Sequence, residues 1–256
     1  MKERIWTGVI GGTFFVAVLA LGGIWYALLL MALAVFAFDE WTRLRRIPRW
    51  SVLYILGIFF LLSFFVKVDG SRLDSPAFFA LFVWGLLALP VLTKNRINVE
   101  DIAHVLLGVA YLGFGFSAFL LTRGLEEGLL ISLWLLFATW ANDTMAFFIG
   151  RQWGHKKLWP AISPNKTVAG ALAGVLAAVL VSIVFSPYLS ASWLKMAALG
   201  LLIGLAGQLG DLMESAVKRS FHVKDAGWIF PGHGGVLDRF DSLLVVFPVI
   251  FYLFLS

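Results

Sequence analysis

The sequence contains no cysteine among its 256 residues, which excludes disulfides, thiolate nucleophiles and cysteine-ligated zinc or iron-sulfur centres. Any bound metal must be held by oxygen or imidazole. Charge is scarce too: Asp, Glu, Lys and Arg make up only 14% of the chain, too little to surround a soluble domain of ordinary balance with a polar shell. The sequence has no GxxxxGK[ST] phosphate loop, no HExxH zinc helix and no GxSxG nucleophile elbow. It also lacks an internal repeat or low-complexity segment, so the inverted-repeat signature of many transporters is not evident.

Apolar residues make up 61% of the chain, with 24 Phe and 11 Trp, and the mean hydropathy is +0.91. This is the composition of an integral membrane protein. A hydrocarbon core of ~30 Å takes about 20 apolar residues per helix, so the length allows roughly eight to ten spans with short connections. The expected architecture is an all-α polytopic membrane protein in which residues 1–256 form one integral membrane domain.

Apolar runs broken by charged or turn-forming clusters predict nine helices, near residues 5 to 21, 24 to 40, 51 to 66, 76 to 93, 101 to 121, 128 to 149, 167 to 186, 192 to 213 and 241 to 256. The charged start and first apolar run resemble a signal peptide, but such runs recur to the end of the chain, so the first is read as a retained span. With the amino terminus cytoplasmic, sixteen of the 20 Lys and Arg fall in segments facing the cytoplasm, the asymmetry that the positive-inside rule describes. The basic excess is therefore assigned to topology and lipid headgroups rather than to nucleic acid. The two longest polar loops, after the sixth and eighth helices, then share the cytoplasmic side.

The ionisable residues gather in DLMESAVKRSFHVKDAGWIFPGHGGVLDRFD, Asp211 to Asp241. Asp211, Glu214, Ser215 and Lys218 have helical spacing and share one face. Asp211, Asp238 and Asp241 are candidate magnesium ligands, because magnesium takes one or two carboxylates and completes its shell with phosphate oxygens. Isolated acids at a membrane border are commonly solvated helix ends, but acids grouped with bases near a membrane point to function. Lys218, Arg219, Lys224 and Arg239 can hold phosphates, Arg by its planar fork and Lys as a point charge, although cytoplasmic loops are basic in any case. Gly232, Gly234 and Gly235 form a turn that could approach a phosphate. His233 between them could donate a proton, contact phosphate or cap a helix.

A second group lies on the sixth helix, where Asn142 and Asp143 interrupt an apolar run about two turns before the basic loop. An acid there is costly unless it faces partners or water. The loop that follows carries SPNKT, in which Ser163, Lys166 and Thr167 precede the seventh helix and could bind an anion or simply cap the helix.

The run SAVKRSFHVKDAGWIFPGHGGVLDRFD resembles the signature of phosphatidate cytidylyltransferases, also called CDP-diacylglycerol synthases. That pattern runs Ser-x-x-Lys-Arg, four residues, Lys-Asp, then Pro-x-His-Gly-Gly-x-x-Asp-Arg-x-Asp, and every fixed position is present. WANDTMAFFIGR and ISPNKT extend the likeness over most of the second half, whereas the first hundred residues add little. In the second loop, Asn165, Val168 and Ala169 stand where the family often shows other types, so only Ser163, Lys166 and Thr167 are carried over.

The resemblance implies transfer of a cytidylyl group from CTP to phosphatidate, by a homodimer in the cell inner membrane with its site toward the cytoplasm. It implies magnesium, with Asp211 and Asp238 as first ligands and Asp241 and Asp143 as helpers or ligands of a second cation. Lys218, Arg219, Lys224 and Arg239 would hold the phosphates, Asn142 and Ser215 would orient them, and Asp225, His233, Gly234 and Gly235 belong to the same substrate-binding segment. The rival readings are a transporter with Asp143 and Asp211 along an ion path, a CTP-dependent polyprenol kinase and a CDP-archaeol synthase.

Overall fold

The structure is a computed structural model and describes residues 2–68, 71–72, 76–227 and 234–255. Helices dominate: α1 (Lys2–Leu21), α2 (Gly23–Leu44), α3 (Val52–Ser63), α4 (Pro76–Leu92), α5 (Val99–Arg123), α6 (Gly128–Trp153), α7 (Val168–Phe185), α8 (Trp193–Ser220), the one-turn α9 (Leu237–Phe240) and α10 (Leu243–Ile250). A π-helical turn, Phe251–Leu255, continues α10 beyond Pro248. The two antiparallel hairpins are small: β1 (Lys67–Val68) with β2 (Ser71–Arg72), and β3 (Lys157–Trp159) with β4 (Ser163–Thr167).

Five helices, α2, α5, α6, α7 and α8, are long and apolar enough to cross a membrane. The apolar stretches Gly8–Leu21, Val52–Ser63, Ala77–Leu92 and Leu243–Leu255 are shorter. The elements thus fall where nine apolar runs were expected, while length and composition alone qualify five as spans.

Local chemistry explains several boundaries. Ser51, Asn98, Thr167 and Ser192 cap α3, α5, α7 and α8, each side chain accepting from the amide three residues on, as oxygen-bearing N-caps do. At the α1–α2 joint Gly22 and Gly23 have φ of 65° and 54°, a region that a side chain makes costly. Arg123 of α5 closes this turn, donating through Nε to Leu19 O at 2.9 Å. One guanidinium thereby serves the orphan carbonyls at the end of α1.

Helix α5 runs through the centre and packs against α2, α3, α10 and α6, while α6, α7 and α8 form the most closely packed group. The sequence of α7 explains this. Gly170, Gly174, Ala178 and Ser182 recur every four residues and are buried, whereas Leu172, Leu176, Leu180 and Val184 are exposed on another face. Small residues let backbones approach where lipid supplies no hydrophobic drive between helices, and large apolar ones suit lipid. A Cβ on Gly174 would lie 2.7 Å from the Asn142 carbonyl of α6, and one on Gly204 would lie 2.8 Å from Val175 Cα of α7. On the α5 side the core is aromatic, with Phe119 and Phe247 stacked at 3.8 Å.

Candidate active site

Two groups of polar side chains converge beside the α6–α7–α8 contact. The first is built on Asp211. Its carboxylate pairs with Lys166 Nζ at 2.8 Å and accepts a hydrogen bond from Ser215 Oγ at 3.3 Å. Lys166 also donates to Gln208 O at 3.3 Å, so β4 is tied to α8. On α6 the fully buried Asn142 donates to Asp143 Oδ1 at 3.1 Å and accepts from Gln208 Nε2 at 3.2 Å. Gln208 also donates to Ala171 O at 2.7 Å. An amide chain from three helices therefore fixes Asp143, which the Ser242 side chain also meets. These donors offset part of the cost of an acid in an apolar helix.

Asp241, after α9, belongs to the same group. Enclosure between helices, and then the negative charges of Asp211, Glu214 and Asp143, push its carboxyl well above the usual carboxylate range. Its own Oδ1 accepts from Ser242 N at 2.7 Å. Lys166 pairs with Asp211, while the charges of Asp211, Glu214 and Asp143 oppose that of Asp241, and such a group of acids fits a site for a hard divalent ion. Among the described residues, no three acidic or imidazole side chains form a ready metal cage. One or two of these acids together with phosphate oxygens would make a magnesium shell.

The second group centres on Lys218. Its ammonium lies 2.5 Å from Glu214 Oε2 and 2.6 Å from Asp238 Oδ1. The other oxygen of Asp238 accepts from Ala226 N at 3.1 Å and Gly235 N at 2.8 Å. Burial pushes this carboxyl upward, but the lysine and the two amides outweigh it and leave Asp238 below its ordinary value. Expected as a first metal ligand, Asp238 has both oxygens engaged, because the turn at Gly234 (φ 78°) folds the chain onto it. Lys218, expected on phosphate, is similarly occupied by two acids.

The remaining expected residues divide. Arg219 donates to Ile162 O and Val223 O, joining the end of α8 to the β3–β4 hairpin. Lys224 and Asp225 are exposed. Ser163 sits in β4, and Thr167 caps α7 by accepting from Gly170 N at 3.2 Å. Gly232 and His233 lie outside the described residues.

Two cavities adjoin Asp143. One, of about 590 Å³, is mainly apolar, lined by Phe14, Phe15, Leu29, Leu33 and Phe36 from α1 and α2, with Asp143, Asp238, Arg239 and Asp241 at its polar end. The other, of about 480 Å³, is the more polar of the two, with Arg151, Lys157, Lys166, Asn165, Gln208 and Asp211 among its lining residues. Asp143 lines both. Sequence reasoning did not single out Arg151 and Lys157. They read as ordinary loop bases until the hairpin brings them beside Lys166.

Sequence reasoning also missed Glu40 of α2, which is 1% exposed. Its two oxygens accept from Val236 N and Leu237 N, each at 3.0 Å. A charged residue beside other charges at a helix end gives no local sign of so distant a partner.

Residues 2–256 match the model of the cytidylyltransferase family. The chain is 35% identical to the phosphatidate cytidylyltransferase of Bacillus subtilis, across 99% of this chain and 97% of that protein. It is 38% identical to the phosphatidate cytidylyltransferase of Staphylococcus saprophyticus and 37% identical to that of Staphylococcus haemolyticus, in each case across 98% of this chain and 97% of the relative.

Proposed function

Because the chain belongs to the cytidylyltransferase family, we infer that it transfers the cytidylyl group of CTP to phosphatidate, giving CDP-diacylglycerol and pyrophosphate in phospholipid biosynthesis. The supporting observation is the pair of cavities that both reach Asp143, one largely apolar with charged residues on it and one more polar with three bases. Such a pair suits a lipid phosphate and a nucleoside triphosphate that must react phosphate to phosphate.

On this reading the acyl chains of phosphatidate run along α1 and α2, and its headgroup meets Arg239. Arg151, Lys157 and Lys166 hold the triphosphate in the polar cavity. A phosphate oxygen of phosphatidate attacks the α-phosphorus of CTP. The bond from that phosphorus to the oxygen bridging the β-phosphate breaks, and pyrophosphate leaves with the electron pair. The attacking oxygen is already anionic, so no general base is required. What the chain must do is bring two polyanions together and hold them in line.

Magnesium would be held by one or two of Asp211, Asp143 and Asp241 together with phosphate oxygens, and when bound it would neutralise phosphate charge and polarise the α-phosphoryl group. Asn142, Gln208 and Ser215 fix the directions of those acids. Asp238 orders the turn that carries Arg239 and Asp241. A second cation would draw on the same acids.

Nine spans, a cytoplasmic amino terminus and a site open to the cytoplasm of a bacterial cell complete the reading, with the charge asymmetry of the loops as support. Pairing as a homodimer is part of it. The deciding experiment is pyrophosphate release from CTP by purified protein and magnesium on addition of phosphatidate, with analysis of the lipid product. Transfer of the γ-phosphate alone, or no pyrophosphate with phosphatidate, overturns the assignment.

A further inference from the structure

We propose that Glu40, from the half of the chain that lacks the signature residues, positions the catalytic turn, so that the reacting groups are set by a carboxylate in α2. The proposal rests on the cytidylyltransferase reading for its kinetic part and on geometry alone for its structural part.

Glu40 is buried, and the donors to its carboxylate are two successive backbone amides, Val236 N and Leu237 N, both at 3.0 Å. These are the amides at the start of α9, whose N–H groups otherwise remain without an intrahelical partner. Gly227 and Gly235 also press against this carboxylate, since a Cβ on either would collide with it. Both sides of the signature segment thus close on one side chain. From there the chain is short: Gly235 N and Asp238 are hydrogen-bonded, Arg239 and Asp241 follow, and all three of these charged residues line the apolar cavity.

The carboxylate is itself mounted rigidly. Asp39, beside it, is held by Arg43 at 2.6 Å and by both arms of Arg49 at 2.5 Å. On the other side, Trp41 Nε1 donates to His104 O at 2.9 Å, and His104 Nε2 lies 2.8 Å from Trp41 O. The three consecutive residues 39, 40 and 41 therefore fix α2 against its surroundings. Glu40 transmits that fixed position to α9. An error of about 1 Å in such positioning costs up to about a hundredfold in rate.

The test uses full-length protein and the variants Glu40→Gln and Glu40→Asp, with wild type as reference. Gln keeps the shape but turns an NH2 group toward an amide donor. The expected result is a kcat for pyrophosphate release lowered about ten- to a hundredfold, with KM for CTP within about threefold and a thermal midpoint close to wild type. Asp should restore part of the rate by restoring the charge. Hydrogen exchange gives a readout independent of turnover: the amides of Val236 and Leu237 should exchange at least about tenfold faster in Glu40→Gln, with those of α6 to α8 unchanged. Unchanged exchange at these two amides overturns the proposal. So does a loss of activity that only tracks loss of folded protein. If wild type released no pyrophosphate, the enzymatic reading would fail, and the exchange result would still decide whether Glu40 holds the turn.

Discussion

Replacing Lys218 by Met separates a structural role for this lysine from a role on phosphate. Its side chain is 12% exposed and lies between Glu214, 3% exposed, and Asp238, 8% exposed. Removing the ammonium leaves two enclosed carboxylates without their cation, and breaking a buried pair in this way costs ~3–5 kcal/mol. This is a large share of a typical ~5–15 kcal/mol of stability. Thermal denaturation in detergent at pH 7, followed by loss of monodisperse protein, measures this, and Lys218→Met with Glu214→Gln should recover part of the loss, because Asp238 keeps the amides of Ala226 and Gly235 and Glu214 is the acid left without a partner. A variant with the wild-type midpoint at pH 7 and a KM for CTP raised tenfold or more would refute the reasoning and return Lys218 to the phosphates.

Asp241→Asn replaces a carboxyl whose ionisation Asp211, Glu214 and Asp143 oppose, so the thermal midpoint without magnesium should hold or rise while turnover falls at least about a hundredfold; a lower midpoint with intact turnover contradicts this. Because Asp238 lies below its ordinary value, its contribution to stability is complete at neutral pH and is lost only as pH falls through and below the usual carboxylate range. Asp238→Asn should therefore lose stability at pH 7 and converge with wild type in acid, as parallel melts would reveal. Arg151→Ala and Lys157→Ala should each raise KM for CTP several-fold and leave KM for phosphatidate nearly unchanged, and the reverse pattern would exchange the roles of the two cavities. Chelation by EDTA should abolish pyrophosphate release and added magnesium restore it; full activity in EDTA would remove the metal from the mechanism.

Helix positions were legible because apolar runs and their breaks are local. The second helix nevertheless extends past residue 40 to Leu44, since Trp41 and Thr42 are buried in protein rather than ending at the membrane border. Asp143 was legible from its cost alone, an acid in an apolar run. The β3–β4 hairpin was not legible, because two short strands within a basic loop have too few residues to show an alternating pattern. Glu40 was hidden for a different reason: its partners lie 196 and 197 residues away, and hydrogen bonds to backbone amides leave no mark on the identity of the partner residues. Lys218 and Asp238 show the converse limit. Their grouping was visible, but whether they would meet substrate or each other depended on a fold that pairs them at 2.6 Å.

The stripe of small residues joining α6, α7 and α8 has a mechanical consequence. Backbones that touch almost directly leave no compressible layer of side chains between them, so these three helices should shift together when the surrounding bilayer thins or thickens. The outer helices, α1 and α4 among them, carry shorter apolar lengths and are the ones free to tilt in response to mismatch. Membrane thickness would then alter the apolar cavity, which α1 and α2 help to wall, far more than the polar one. The enzyme's rate should vary with bilayer thickness through its lipid substrate, while its hold on the nucleotide stays constant.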